Sequence, residues 1–277
     1  MTINWFPGHM NRARRELAEA LTQIDVVIEI LDARLPRSSS NPMLTELRGE
    51  KPALTLLNKA DLADPTVTQS WLQFFEQDRK RSALAVDAND RSSIKGVPGR
   101  CRALAPARQG PGRRVRCMVV GIPNVGKSTL INTLLGRGIA QVGDRPAVTR
   151  RAQRFELDDR VSLSDTPGVL WPKLEDQEGA YRLAASGAVG EAAFDTMDVA
   201  QYAAGFLART YPEALAERYR LETLPTEPLQ ILECIGRRRG FLQRGGVVDL
   251  ERAANTLLRE LRSGAMGRIS FDRPAPE

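Results

Sequence analysis

The sequence predicts a parallel α/β sheet with helices on both faces, followed by an all-helical region. Three observations carry this. Short apolar runs of strand length alternate with helical patterns through the first 177 residues, as in successive βαβ units. A glycine-containing turn at 121–128 joins one such run directly to a helix. Beyond about Glu178 the strand runs stop and alanine-rich helical patterns take over. The 277 residues therefore divide into an α/β domain, 1–177, and a smaller helical domain, 178–277.

Taken in order, Met10 to Gln23 reads as an amphipathic helix with Ala13, Leu17 and Leu21 on one stripe. The buried strand Val26 to Leu31 follows, ending in Asp32-Ala33-Arg34, and then a serine-rich turn from Pro36 to Pro42. After a short helix, the strand Ala53 to Leu57 runs into Asn58-Lys59-Ala60-Asp61. A helix over 65–82 and a short strand from Ala83 to Val86 come next. Residues Lys95 to Arg114, rich in Gly, Pro and Arg, read as a surface helix leading into a linker. Val115 to Val120 is again a buried strand, opening into Gly121–Ser128 and a helix to Leu135. Two strands lie within 151–164 around the turn Asp158-Asp159, which completes an expected six-stranded, mostly parallel sheet. Helical patterns follow at Tyr181–Ala188, Val199–Arg209, Pro212–Tyr219, Pro228–Arg237 and Leu250–Ser263.

Composition narrows the function classes. The chain is 42% hydrophobic and 27% charged, ordinary for a soluble globular protein. No run reaches the roughly 18 apolar residues of a membrane helix, and the N-terminus lacks the pattern of a leader, so a cytoplasmic protein without a membrane partner is expected. Cys101, Cys117 and Cys234 are dispersed and there is one histidine, His9, which argues against a disulfide framework or a Cys/His metal site. A net charge of +6 favours an acidic partner, nucleic acid first. Basic residues concentrate in Arg91–Arg116 and again at Arg237, Arg238, Arg239 and Arg244, the candidates for RNA contact.

The chemistry lies in spaced motifs. Gly121-Ile122-Pro123-Asn124-Val125-Gly126-Lys127-Ser128 fits G-x-x-x-x-G-K-S in the strand–turn–helix setting that the motif requires. Its N–H groups and the following helix suit phosphates, with Asn124, Val125, Gly126 and Thr129 lining the loop. Lys127 supplies a charge for the β- and γ-phosphates, and Ser128 a hydroxyl for Mg²⁺. Asn58-Lys59-Ala60-Asp61 selects the base. Asp61 can accept from guanine N1–H and the 2-amino group, whereas adenine lacks that pair of donors and would leave the carboxylate unpaired. Lys59 can lay its stem along the base, and Asn58 can tie this loop to the phosphate loop. Asp165-Thr166-Pro167-Gly168 ends a strand, so Asp165 is expected at the Mg²⁺ shell and the Gly168 N–H at the γ-phosphate. Thr149, in Arg145–Thr149, is the switch residue expected to close on Mg²⁺ and the γ-phosphate.

The order of these motifs is unusual. The base-reading loop precedes the phosphate loop, and Thr149 and Asp165 follow, so the domain is a circular permutation of a Ras-like P-loop GTPase domain. The chain resembles the circularly permuted bacterial GTPases of the RbgA (YlqF) group along nearly its whole length. The resemblance is carried by Trp5-Phe6-Pro7-Gly8-His9-Met10, Asp32-Ala33-Arg34-Leu35-Pro36, Gly121–Thr129 and Asp165–Pro172. It implies a GTP hydrolase in late maturation of the large (50S) ribosomal subunit, stimulated by the particle, whose helical domain contacts rRNA. It departs from the family pattern in two places. Pro146-Ala147-Val148-Thr149 stands where Pro-Gly-Val-Thr is usual, and the sixth-strand motif around Val86-Asp87-Ala88, with Asp87 and Ala88 near the base, lacks the usual serine.

Position 169 is valine, which cannot orient water as the glutamine of many GTPases does. His9, in the loop before the first helix, is the candidate substitute, and the resemblance points the same way. With Lys127 and Thr149 it makes up the expected catalytic set. By analogy with K⁺-stimulated GTPases, Asn124 is a candidate ligand for a monovalent cation, so Mg²⁺ and K⁺ are the expected cofactors. GTP/GDP and a 50S precursor, its rRNA and proteins, are the expected partners of a monomer. A P-loop ATPase or kinase, and an RNA-binding module using GTP as a structural ligand, remain the alternatives at this point.

Overall fold

The structure, a computed structural model, describes residues 10–108, 110, 113–136, 153–158, 160–165 and 176–274. Among them it divides into two compact units, one holding the sheet and one made of helices from Glu175 to Ile269.

In the sheet unit, strands β1 (Val26–Asp32), β2 (Ala53–Asn58), β3 (Arg81–Val86), β4 (Val115–Val120), β5 (Gln153–Glu156) and β6 (Val161–Asp165) lie in the order β3-β2-β1-β4-β6-β5. All neighbours are parallel except the β5–β6 pair. Every residue of β1 and β2 is buried, in keeping with their mainly apolar sequence, and the polar Glu29, Asp32, Thr55 and Asn58 among them all take hydrogen bonds or ion pairs. The permutation is visible in the topology. β4, fourth along the chain, sits at the centre, and the chain runs outward from the β1–β4 seam in both directions. Ligands of open α/β sheets bind where strand order reverses, at the carboxyl ends of the strands.

Alternation along the strands sends successive side chains to opposite faces. On one face α1 (Met10–Leu21) and α3 (Pro42–Arg48) bury Leu17, Leu21 and Leu44 against Val27, Met118 and Val120. Beside them α4 (Pro65–Glu76) packs Val67, Trp71 and Phe75 on Leu31, Leu57 and Ala83. The fully buried Ile28, Ile30, Leu54 and Leu56 point the other way. There α6 (Val97–Leu104) brings Cys101 to Cys117, and both thiols are buried. The hydrogen bond from Cys101, together with burial, pushes the Cys117 thiol far above its ordinary range, so it is an inert packing group. The short helices α2 (Pro36–Ser39) and α5 (Arg91–Ile94) shape loops at the strand ends. The helix expected over 65–82 stops at Glu76, and residues from Arg81 join β3, because pairing with β2 outweighs local helical preference.

The helical unit gathers α8 (Gln177–Ser186), α10 (Pro212–Tyr219), α11 (Pro228–Arg238) and α12 (Leu250–Arg262) around α9 (Thr196–Thr210). Asp176, Asp195 and Asp249 cap α8, α9 and α12 by accepting from first-turn N–H groups. Along α12 the buried Ala253, Ala254, Leu257, Leu258 and Leu261 form one stripe. Gly236 of α11 packs against Val248 so closely that a Cβ would collide with it. The last described residues, from Ser270, belong to the sheet unit, unlike the expected extent 178–277 of the helical domain. No helix among the described residues is long and apolar enough to cross a membrane.

Candidate functional site

The register aligns Asp32, Asn58 and Val86 across the carboxyl ends of β1, β2 and β3. The next residues of each strand therefore leave from a common edge, beside the loop that follows β4. Asn58 joins three of these segments. Its Nδ2 donates to Val125 O of the phosphate loop at 2.6 Å, and its Oδ1 accepts from the Ala88 N–H at 2.8 Å. A side-chain amide has both a donor and an acceptor end, and both are used here in a buried setting. Asp61 is exposed three residues on, with its carboxylate open to solvent. Asp87 accepts from the N–H and side-chain amide of Asn89, at 2.8 and 3.1 Å, which shapes the third loop.

The phosphate loop has the backbone its glycines allow. Gly121 has φ +153° and a Cβ there would stand 2.6 Å from Ile30 O, so the strand end admits no side chain. Gly126 has φ +101°, and a Cβ would overlap Asn58 Nδ2. It precedes α7 (Lys127–Leu135), whose first N–H groups face the loop. Asn124 and Lys59 also take left-handed backbone, with φ of 58° and 61°. Lys127 is buried, and its Nζ donates to Gly121 O at 3.1 Å and Ile122 O at 2.8 Å. Burial pushes the Lys127 ammonium down to about 8, with the charge of Asp165 partly opposing. Asp165, at the end of β6 opposite Val119 of β4, is itself buried. Ser128 and Thr129 are half-buried in the first turn of α7.

Asp32 and Arg34 have a role that none of the spaced motifs indicates. Asp32 is wholly buried, and Arg34 grips it with Nε and Nη2 at 3.0 and 2.7 Å and with its N–H at 3.0 Å. Lys59 Nζ reaches the same carboxylate at 3.1 Å. Burial raises the Asp32 carboxyl, but the charges of Arg34 and Lys59 and the hydrogen bonds outweigh it and hold it well below the carboxylate range. Lys59 is thus steered from beneath by a partner 27 residues earlier, and the only local signal is an acid–basic pair at a strand end.

Several residues of the arginine-rich stretches form ion pairs within the fold. Arg108 and Arg116 both bind Asp25, Arg114 pairs with Glu156, and Arg102 lies 3.4 Å from Asp158. In the helical unit Arg239 shares Glu260 with Arg218, at 2.8 and 2.9 Å, and lies over the Tyr219 ring. Arg238 stands 3.7 Å from Glu222, and Arg237 and Arg244 are exposed. His9, Thr149 and Gly168 lie outside the described residues.

A family model described as 50S ribosome-binding GTPase matches residues 116–204. The ribosome biogenesis GTPase A of Priestia megaterium is 45% identical over 99% of this chain and 98% of its own length. A GDP-bound structure of YlqF aligns with TM-score 0.67 at 28% identity, covering 94% of this chain and 99% of that one. A GNP-bound YlqF from T. maritima aligns with TM-score 0.66 at 28% identity, covering 96% and 100%.

Proposed function

Since the chain belongs to the ribosome biogenesis GTPase A family, we propose that it acts late in maturation of the large (50S) ribosomal subunit, with GTP hydrolysis stimulated by the particle. Membership makes the chain a GTPase engaged in ribosome biogenesis, which sets aside the ATPase or kinase reading. The observation that carries the site is the double hydrogen bond of Asn58, which locks the base-reading loop to the phosphate loop beside an exposed Asp61.

In this reading Asp61 accepts from guanine, Lys59 supports the base from its anchor on Asp32, and Asp87 and Ala88 border it. Lys127, the amides of Asn124–Thr129 and the Gly168 N–H bind phosphates. The Ser128 hydroxyl and the Asp165 carboxylate are hard oxygen donors, the kind that Mg²⁺ takes alongside water and phosphate oxygens, and Thr149 would join them. When held there, Mg²⁺ would supply positive charge that offsets the charge developing on the phosphates. Asn124 is the ligand proposed for K⁺, and equal rates in KCl and NaCl would remove that cation from the account. His9 orients the attacking water. On the helical unit, Arg237, Arg238, Arg239 and Arg244 contact rRNA phosphates, Arg239 from its pairing with Glu260.

Sedimentation with 50S subunits tests the reading. The non-hydrolysable GTP complex should co-sediment, the GDP complex much less, and raised salt should weaken both. Equal binding in the two nucleotide states, or hydrolysis that 50S particles do not stimulate, would overturn the late 50S role and leave a GTPase of ribosome biogenesis whose nucleotide does not gate this particle.

A further inference from the structure

The chain leaves the helical unit at Ile269, and the residues that follow lie along the sheet unit. Three consecutive residues make specific polar contacts there. Ser270 Oγ accepts from the Asp64 N–H at 3.1 Å. The Phe271 N–H donates to Arg34 O at 2.6 Å. The Asp272 carboxylate accepts from the Ser38 N–H at 2.8 Å, the Ser38 hydroxyl at 2.9 Å and the Arg37 N–H at 3.4 Å. Its carbonyl accepts from the Trp71 indole N–H at 3.2 Å. Ser270, Phe271 and Asp272 are all buried. A buried carboxylate is costly unless its oxygens are satisfied, so this is a specified contact and not a terminus lying on a surface.

What the segment touches gives it a purpose. Arg34 is the residue that grips Asp32, and Asp32 holds Lys59. Asp64 caps α4 three residues beyond Asp61. The segment therefore bonds to a residue on each side of Lys59–Asp61 in the network, Arg34 through the Asp32 anchor of Lys59 and Asp64 three residues after Asp61. Lys59 is a non-glycine residue in left-handed backbone, which persists only where the surroundings hold it.

We propose that Ser270–Asp272 is a strap that positions the base-reading loop, so that Asp272 and Ser38 set guanine selectivity without touching the nucleotide. The inference rests on the guanine reading of Asp61 given above. Guanine offers Asp61 two donors, N1–H and the 2-amino group, whereas hypoxanthine offers only N1–H. The preference for GDP over IDP therefore reports the placement of Asp61, while the phosphate loop holds both nucleotides alike.

The test uses the full chain with Asp272→Ala, Ser38→Ala and the double variant, titrated with GDP and IDP and followed in steady-state turnover. Asp272→Ala should weaken GDP about tenfold and IDP less, lowering the GDP/IDP preference at least about threefold, as loss of charge-assisted bonds to a supporting loop would do. KM for GTP should rise while kcat at saturation stays within about twofold. Ser38→Ala should act in the same direction, and the double variant should lose no more than Asp272→Ala, since the two share one contact. Equal losses for GDP and IDP, or no loss of either, would overturn the strap. A wild-type chain indifferent to the base would instead overturn the guanine reading itself. If Asp272→Ala does not fold, Ser38→Ala, which removes only one hydroxyl, carries the same comparison.

Discussion

Replacing Asn58 with alanine removes one side chain and releases three loops. The variant loses the bond to Val125 O and strands the Ala88 N–H, both at a residue that is 4% exposed. A buried polar group left without its partner costs about 1–3 kcal/mol, so two give about 2–6 kcal/mol before relaxation. Water entering from the open side near Asp61 satisfies part of this, which places the expected loss at about 2–4 kcal/mol. Urea denaturation followed by circular dichroism measures it. Affinity for GTP should fall more steeply than the fold alone requires, because binding then also has to order two uncoupled loops. A fluorescent guanine nucleotide should show at least a ~30-fold rise in Kd, equivalent to about 2 kcal/mol. Gly126→Ala should share the defect, since its Cβ would overlap Asn58 Nδ2 and its φ is +101°. Combined, the two should cost less than their sum, because the clash partner is already gone. A loss of stability below about 0.5 kcal/mol together with an unchanged Kd would refute the assignment of Asn58 as the joint between loops.

Arg34→Ala should cost about 3–5 kcal/mol at neutral pH by leaving Asp32 buried with a weaker counter-charge. The Asp32 carboxyl is held below its ordinary 3.8, so its stabilisation is present above that value and lost as pH falls further. The gap between variant and wild type in denaturation midpoint should therefore shrink on going from neutral pH towards about pH 3, and a constant gap would contradict this. Lys127 is pushed down to about 8, below its ordinary 10.5, so its buried charge costs stability below that pH and the cost is relieved above it. Phosphate favours the ammonium, so GTP binding near pH 8–9 should take up a proton and weaken as pH rises past about 8. Calorimetry in two buffers of different ionisation enthalpy would detect it, and absence of uptake, or its survival in Lys127→Gln, would count against the assignment. His9→Ala should keep GTP affinity within about threefold and lose particle-stimulated turnover. Unchanged stimulated rates would remove His9 from the mechanism.

Much of the fold and of the site is legible in the amino-acid sequence. Gly121–Ser128 and Asn58–Asp61 can be read because their chemistry is local. Left-handed backbone at Gly126, an ammonium one residue on and a carboxylate at a strand end each depend on residues a few positions apart. The alternation of strands and helices is equally local; it misplaces boundaries such as Glu76 and Arg81, where strand pairing competes with helix propensity, and misses the short helices α2 and α5. The permutation can be read from motif order alone, and the central position of β4 agrees with it.

The fates of the charged residues cannot be read in this way. Arg116 and Arg108 have the look of a surface for nucleic acid, yet they bind Asp25, 91 and 83 residues away, because β1 and β4 are neighbours in the sheet. Arg239 resembles its two neighbours in sequence, but the approach of α12 brings Glu260 to it. The same holds for Lys59, whose anchor Asp32 lies on the adjacent strand, and for Asp272, whose partner Ser38 is 234 residues earlier. The phosphate- and base-recognition motifs are contiguous spacings, so the chemistry proposed for them is legible along the chain itself. Which charges pair within the fold follows from its three-dimensional arrangement instead, because ion pairs depend on proximity in space and strand order sets that proximity.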